Sequence, residues 1–463
     1  MTIIPYGAFL RWFLIKVCLQ SKRVRFLFLI TSLVCFSRNS LSQSIDAPYE
    51  VGTWQGFRTV AVSFTFDDGT PNQSAIALPM FNEFGFKMTL FTVINWGPNW
   101  AALQSAANNG HEIASHTMSH ASLGSTSTDQ YAELKNSQDA INARINRQKC
   151  LTIAYPNCVV GDKALCSQFY IAARICSGQI EASTPSDFMN ISSFVCGTQG
   201  SIQRSEDFFN KAAGAVRTRG WVVFLIHALD GESGYSPTSS VQLRGALDSL
   251  KAHRDTYWVS SFVNIARYIK ERNSASVKEI AASDSAITVR VTDSLPDSIY
   301  NYPVTIRRPL PSGWISASLT QGGKSVGAQI VVENSTKYVM FDVIPDNGDI
   351  IMRKSTTTGV GTFGGLLPLR STLMQNYPNP FNPSTTISYW LPTPSGAEGS
   401  AVSVVTLKVF NMLGCEVATL ANGQRGAGEH TVVWDAKDCP SGIYFYQLCT
   451  GSGTETKRLA LIR

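Results

Sequence analysis

T-V-A-V-S-F-T-F-D-D-G, residues 59–69, is an apolar strand that stops on two carboxylates. A strand with no polar face is buried on both sides, as in a parallel sheet covered by helices. Asp67 and Asp68 cannot both be buried at its end without a charge partner, and Gly69 lets the chain turn there. Open α/β sheets and barrels put their active sites at this end of their strands. An ordinary Asp-Gly turn, with one Asp capping the next helix, fits the same residues. From this stretch alone both readings stand.

Working outward, K-M-T-L-F-T-V (87–93) and W-V-V-F-L-I (221–226) read as further strands, and residues 129–146 and 262–269 as helices. Strand–helix alternation over residues 45–273 predicts a parallel α/β domain. From 275 to 353 the pattern changes to short strands separated by Pro, Gly, Asn and Asp, which predicts a small β-sandwich. Its Tyr300, Tyr302 and Trp314 are read as core residues rather than a sugar-binding face, and the region as a spacer or accessory module. Residues 354–371 contain T-T-T-G-V-G-T-F-G-G and read as a linker; 372–463 is β-rich again. A length of 463 residues fits several domains.

The chain carries 39 Lys and Arg against 33 Asp and Glu. The six basic residues of 1–42 (Arg11, Lys16, Lys22, Arg23, Arg25, Arg38) account for that whole excess, so the remainder is neutral and a broad nucleic-acid surface is not expected. Within 1–42, S-K-R-V-R precedes the apolar run F-L-F-L-I-T-S-L-V-C-F and then Ser40 and Ser42, the pattern of a signal peptide with cleavage near Ser42–Gln43. The run is too short for a stable bilayer anchor, and no membrane anchor is expected in the mature chain. Export to an oxidising compartment would let some of Cys150, Cys158, Cys166, Cys176, Cys196, Cys415, Cys439 and Cys449 pair, but sequence leaves the connectivity open.

His116 and His120, in H-T-M-S-H, fall on one face if the segment is helical. Two His with a carboxylate form a common divalent-metal set that leaves positions open for water and substrate. Of six His in the chain, four (His111, His116, His120, His227) lie between 111 and 227. His227 closes the strand 221–226 and could share a rim with Asp67, as a general acid.

T-F-D-D-G, K-M-T-L-F-T-V, G-H-E-I-A-S-H-T-M-S-H, A-Y-P-N-C and F-L-I-H occur in the order found in the polysaccharide deacetylase family, the NodB-homology domain of carbohydrate esterase family four, which residues 55–272 resemble. The resemblance implies a distorted (β/α) barrel and zinc-dependent hydrolysis of N-acetyl, sometimes O-acetyl, groups on sugars. By motif match, Asp68, His116 and His120 would hold the divalent metal, most readily Zn2+, with Asp67 as base and His227 as acid. An oxyanion donor is expected from a backbone N–H near Tyr155. Two departures stand out. Ala154 occupies the place of the family's third-motif Arg, for which Arg174 is the nearest substitute, and the family's Asp-Trp motif, which tunes the acid, has only Asp187 as a candidate.

Q-N-Y-P-N-P-F-N-P (375–383), L-K-V-F-N-M-L-G, P-S-G-I-Y-F-Y-Q-L and the closing K-R-L-A-L-I-R resemble a type IX secretion C-terminal sorting domain. That implies a partner in the secretion machinery and a secreted or cell-surface product that passes through the periplasm. The expected whole is an α/β distorted-barrel deacetylase domain followed by two small all-β, sandwich-like domains. The expected activity is removal of N-acetyl groups from an amino-sugar polysaccharide. An O-acetyl esterase and a degenerate, non-catalytic glycan-binding protein are the alternatives.

Overall fold

A computed structural model describes residues 43–355 and, in the tail, 372–373, 376, 379–391, 402–426, 428–450 and 453–462. The expected signal peptide (1–42) and most of the expected linker lie outside these residues.

Eight parallel strands form the first domain: β1 (Val60–Phe66), β2 (Thr89–Thr92), β3 (Glu112–Ser115), β4 (Thr152–Ala154), β5 (Ala172–Arg174), β6 (Phe194–Val195), β7 (Trp221–Ile226) and β8 (Tyr257–Val259). The order is β5-β4-β3-β2-β1-β7-β6. β1 pairs along its length with β7; on its other edge, Val60–Val62 pair with β8 while Thr65 and Phe66 pair with β2. One strand thus serves two neighbours on one edge, which curls the sheet into the distorted barrel that the sequence predicts. Every residue of β1 and of β7 is buried, as the unbroken apolar runs require.

Helices cover the sheet: α1 (Leu78–Phe84), α2 (Trp100–Asn108), α3 (Gln130–Arg144), α4 (Lys163–Cys166), α5 (Ser205–Gly214), α6 (Ser240–Ala252) and α7 (Phe262–Ser274). Asp129, read as helical from sequence, instead caps α3 by accepting from the Ala132 N–H at 3.0 Å. Ser239 and Ser261 cap α6 and α7 in the same way.

Residues 276–355 form two antiparallel sheets, and the segment ahead of β1 completes both. Ser44–Ile45 pairs with Ser276–Val277, and Glu50–Val51 with Ile306–Arg307. One continuous apolar core joins these sheets to the barrel, running from Trp54, Trp258, Phe262, Ile265 and Ile269 to Val289, Ile306, Phe341 and Met352. The region is therefore fused to the barrel rather than strung beside it. Trp314 is buried, its Nε1 donating to the Asp284 carbonyl at 2.9 Å, and Tyr300 and Tyr302 pack on the shared core. In the tail, a three-stranded and a four-stranded antiparallel sheet enclose a core drawn from residues 373–461 alone.

Candidate active site

The carboxyl ends of β1, β3, β5 and β7 bring their side chains together at one site. Asp67 follows β1, its N–H donating to the Ile226 carbonyl at 2.9 Å, so the two strand ends are tied together. Gln73 strengthens the tie: its Nε2 donates to the carbonyls of both Asp67 (2.5 Å) and His227 (2.9 Å). Asp68 then adopts a left-handed backbone, φ +74°, which turns its side chain into the site beside Asp67. Thr117 (φ +68°) and His120 (φ +63°) are left-handed too. Such conformations cost free energy in non-glycine residues and gather where function fixes a geometry.

His116 leaves β3 with its N–H on the Thr92 carbonyl at 2.9 Å, and its Nδ1 meets the Ala154 carbonyl at 2.8 Å. Its Nε2 is thereby aimed at the carboxylates, 3.5 Å from Asp67 Oδ2 and 3.6 Å from Asp68 Oδ1. His120 Nε2 stands 3.6 Å from the same Asp68 Oδ1. The spacing of four suggested a helix, yet residues 116–120 form a turn: the left-handed Thr117 and His120 break any helical run. The rings meet all the same, centroids 4.8 Å apart. Glu133 on α3 secures this turn, accepting from the N–H groups of Met118 (2.8 Å) and Ser119 (3.0 Å) and from the Ser119 hydroxyl (2.6 Å). Sequence reasoning missed Glu133, which looks like any surface acid on a polar helix.

One ligand atom from each of Asp68, His116 and His120 lies within 4.8 Å of the others. Asp68 Oδ1 is buried with no hydrogen-bond partner, and an orphaned buried carboxylate oxygen facing two imidazole nitrogens is the arrangement a divalent cation satisfies. Burial, then the neighbouring Asp67, pushes the Asp68 carboxyl up to about 7. Burial pushes His116 down to about 4 and lowers His120, so both imidazoles are neutral and able to ligate at neutral pH.

Asp67 is different. Burial would raise its pKa, but Arg174 beside it, with His116 and His227, more than offsets that and holds the carboxyl below its ordinary range. Arg174, wholly buried at the end of β5, pairs through Nη2 with Asp67 Oδ2. The guanidinium that Ala154 cannot supply thus arrives from the adjacent strand. His227 ends β7 with its Nδ1 buried and unpartnered. Burial is the main force lowering its pKa, which Asp67 partly opposes.

Two candidates have other partners. The Tyr155 N–H itself donates to the Arg174 carbonyl at 3.1 Å, so an oxyanion donor near Tyr155 would be a neighbouring N–H. Asp187 places its Oδ2 on Lys163 Nζ at 2.6 Å and its Oδ1 on the Met189 N–H at 2.8 Å, serving a turn and a surface ion pair. Of the cysteines, Cys158 and Cys176 form a disulfide that joins the turn after Tyr155 to the segment after Arg174. Cys150, Cys166 and Cys196 are buried thiols.

Residues 56–168 match the polysaccharide deacetylase family, and residues 375–462 match the secretion system C-terminal sorting domain. This chain carries a polysaccharide deacetylase domain. The matched segment contains Asp67, Asp68, His116 and His120, and ends before Arg174 and His227. The sorting domain marks the product as secreted or cell-surface, and among the described residues no helix is long and apolar enough to cross a membrane. A gellan lyase from a Bacillus species is 28% identical over 328 residues, which cover 65% of this chain but only 13% of that protein. Among solved structures, similar chains include the Xyl-CE4 domain of a multidomain xylanase from the hindgut metagenome of Trinervitermes trinervoides (18% identity, 47% of this chain and 94% of that chain, TM-score 0.34). Another is a family 4 acetyl xylan esterase from Clostridium thermocellum (18% identity, 44% and 89%, TM-score 0.32).

Proposed function

We propose that the protein is a divalent-metal-dependent hydrolase that removes N-acetyl groups from an amino-sugar polysaccharide outside the cell. The observation that carries this reading is the pairing of two unlike carboxylates. Asp68 is grouped with His116 and His120, a set that would hold a cation, while the adjacent Asp67 is kept ionised by Arg174. Zinc suits the two-imidazole, one-carboxylate donor set. Bound there, a divalent ion would polarise the acetyl carbonyl and lower the pKa of an attacking water.

The chain's own residues do the rest. Asp67 takes the proton of the attacking water, and Arg174 keeps it free to do so. The departing nitrogen takes its proton from His227, which must carry that proton to give it; burial works against the protonated ring and the neighbouring Asp67 works for it. An amine is a poor leaving group without that proton, which is why an acid opposite the base favours amide chemistry.

Acetate release from N-acetylglucosamine oligomers and from acetylated xylan, with and without a chelator, tests the reading. Release from the first that stops on chelation is expected. Release from xylan alone would make it an O-acetyl esterase, and release from neither, with glycan still bound, a binding protein. Asp67→Asn should lower kcat by about a hundredfold or more while metal still binds, whereas His116→Ala should lose both. Calorimetric titration with zinc separates the two.

A further inference from the structure

Gln73 is buried beside the site, yet it belongs neither to the candidate ligand set nor to the acid–base pair. Both hydrogens of its Nε2 go to backbone carbonyls, that of Asp67 after β1 at 2.5 Å and that of His227 after β7 at 2.9 Å. Its Oε1 is buried with no hydrogen-bond partner. An apolar side chain of the same size would fill this space without that cost. What an apolar side chain would not supply is the pair of donors.

The helix carrying Gln73 is wound to bring it there. Residues 71–84 form one helical run, in which Gln73–Ala77 is a π-turn ahead of α1 and the Leu78 N–H donates to the Gln73 carbonyl, five residues back. Such turns are rare and gather at functional sites. The extra residue rotates Gln73 by about 100° from the register that α1 alone would give it. Other side chains stitch the same two loops. Thr70 Oγ1 donates to Glu232 Oε1 (2.7 Å), the Asn72 N–H to Glu232 Oε2 (2.9 Å) and Asn72 Nδ2 to the Leu229 carbonyl (3.1 Å). Of these stitches, the Gln73 amide alone joins the carbonyls of both Asp67 and His227.

A peptide group is planar, so it turns as a unit, and the direction of its carbonyl moves with the φ of the residue that follows. Holding the Asp67 carbonyl therefore holds Asp68 at φ +74°, the left-handed value at which its Oδ1 stands 3.6 Å from both His116 and His120. Without that restraint the plane is free to turn over and release the strain. The second bond fixes the backbone of His227 against the same peptide.

We propose that Gln73 is a positioning residue that locks the Asp67–Asp68 peptide in its strained orientation and ties it to His227, so that metal ligand, base and acid keep one spacing. The proposal rests on the deacetylase reading for the roles of base and acid; its effect on the metal ligand does not need that reading.

Two variants of the full chain test it. Gln73→Met keeps the volume and removes both donors, while Gln73→Glu keeps the shape and sets a carboxylate against the two carbonyls. By zinc calorimetry, Gln73→Met should bind about tenfold more weakly; at saturating zinc its kcat for acetate release should fall by about tenfold or more, with KM within about twofold of wild type. Gln73→Glu should lose more on both counts. Hydrogen exchange read by mass spectrometry should show residues 67–70 and 227–230 exchanging faster in Gln73→Met, with β1 and β7 as protected as in wild type. If Gln73→Glu does not fold, Gln73→Met decides alone. Wild-type zinc affinity and kcat in Gln73→Met would overturn the proposal, and so would loss of protection throughout β1 and β7, which would make Gln73 a packing residue. No acetate release from wild type would sink the deacetylase reading and leave zinc affinity to decide the peptide lock; an active wild type matched by Gln73→Met would do the reverse.

Discussion

At Asp67 two large and opposite influences meet: burial, which favours the neutral acid, and Arg174, which favours the carboxylate. Removing the guanidinium leaves only burial, so the sign of the change is fixed. In Arg174→Met the Asp67 pKa rises, and the acid limb of kcat/KM should move to higher pH by about a unit or more. A Lys at 174 should restore part of it. A purely structural role for Arg174 would lower kcat/KM at every pH without moving the limb. Asp68 gives a second pH dependence. Its carboxyl is pushed up to about 7, and ligation requires it ionised, so binding releases a proton wherever Asp68 is protonated. Metal affinity should therefore fall as pH drops below about 7, approaching tenfold per unit, and level off above it. Zinc titrations from pH 5 to 9 check this, and a flat profile would remove Asp68 from the ligand set. Asp67, Asp68, His116, His120 and His227 were legible because each closes a strand or a tight spacing. Glu133 and Gln73 were not, since what matters in them is a hydrogen bond to backbone brought close only by the fold.

Strand ends, more than strands, decide this site. β4 carries Ala154 where a charged partner for the base was expected, and β5, its neighbour, carries the guanidinium instead. Sequence could mark Arg174 as a candidate but could not deliver it, because the pairing of β5 with β4 is a long-range event. The Cys158–Cys176 disulfide spans the segments just beyond these two strand ends. Closing a loop of that size stabilises a fold by about 3 kcal/mol in the chain-entropy account. Replacing both cysteines by serine should lower the unfolding midpoint and, by loosening the segment after Arg174, reduce kcat; a phosphine reductant that binds zinc weakly should do the same to wild type and nothing further to the double variant. Differential scanning fluorimetry with parallel acetate assays reads both effects. An unchanged rate in a destabilised variant would show that β5 holds Arg174 unaided.

For the whole molecule, the apolar pattern of 45–273 announced a covered parallel sheet, but nothing local told where that domain's core would end. A β-sandwich read from strand spacing looks self-sufficient, whereas this one takes strands Ser44–Ile45 and Glu50–Val51 from the segment that precedes the barrel in the chain and buries Phe262, Ile265 and Ile269 of α7. The two strand pairings span more than two hundred residues, and alternation within a strand carries no trace of them. The tail draws its core from its own residues. The two cuts should therefore behave differently. A chain ending after Ser355 should fold, bind zinc and melt cooperatively, because every apolar face of the barrel keeps its cover. One ending after Ser274 uncovers Trp258, Phe262, Ile265 and Ile269 together, and each large side chain moved from the core into water costs about 1.5–3 kcal/mol, a sum comparable with the whole stability of a domain. It should aggregate or lose its cooperative transition. Solubility and circular-dichroism melting of the two chains decide it, and a soluble, cooperatively melting chain ending at Ser274 would mean that the barrel's core is complete without the sheets that follow it.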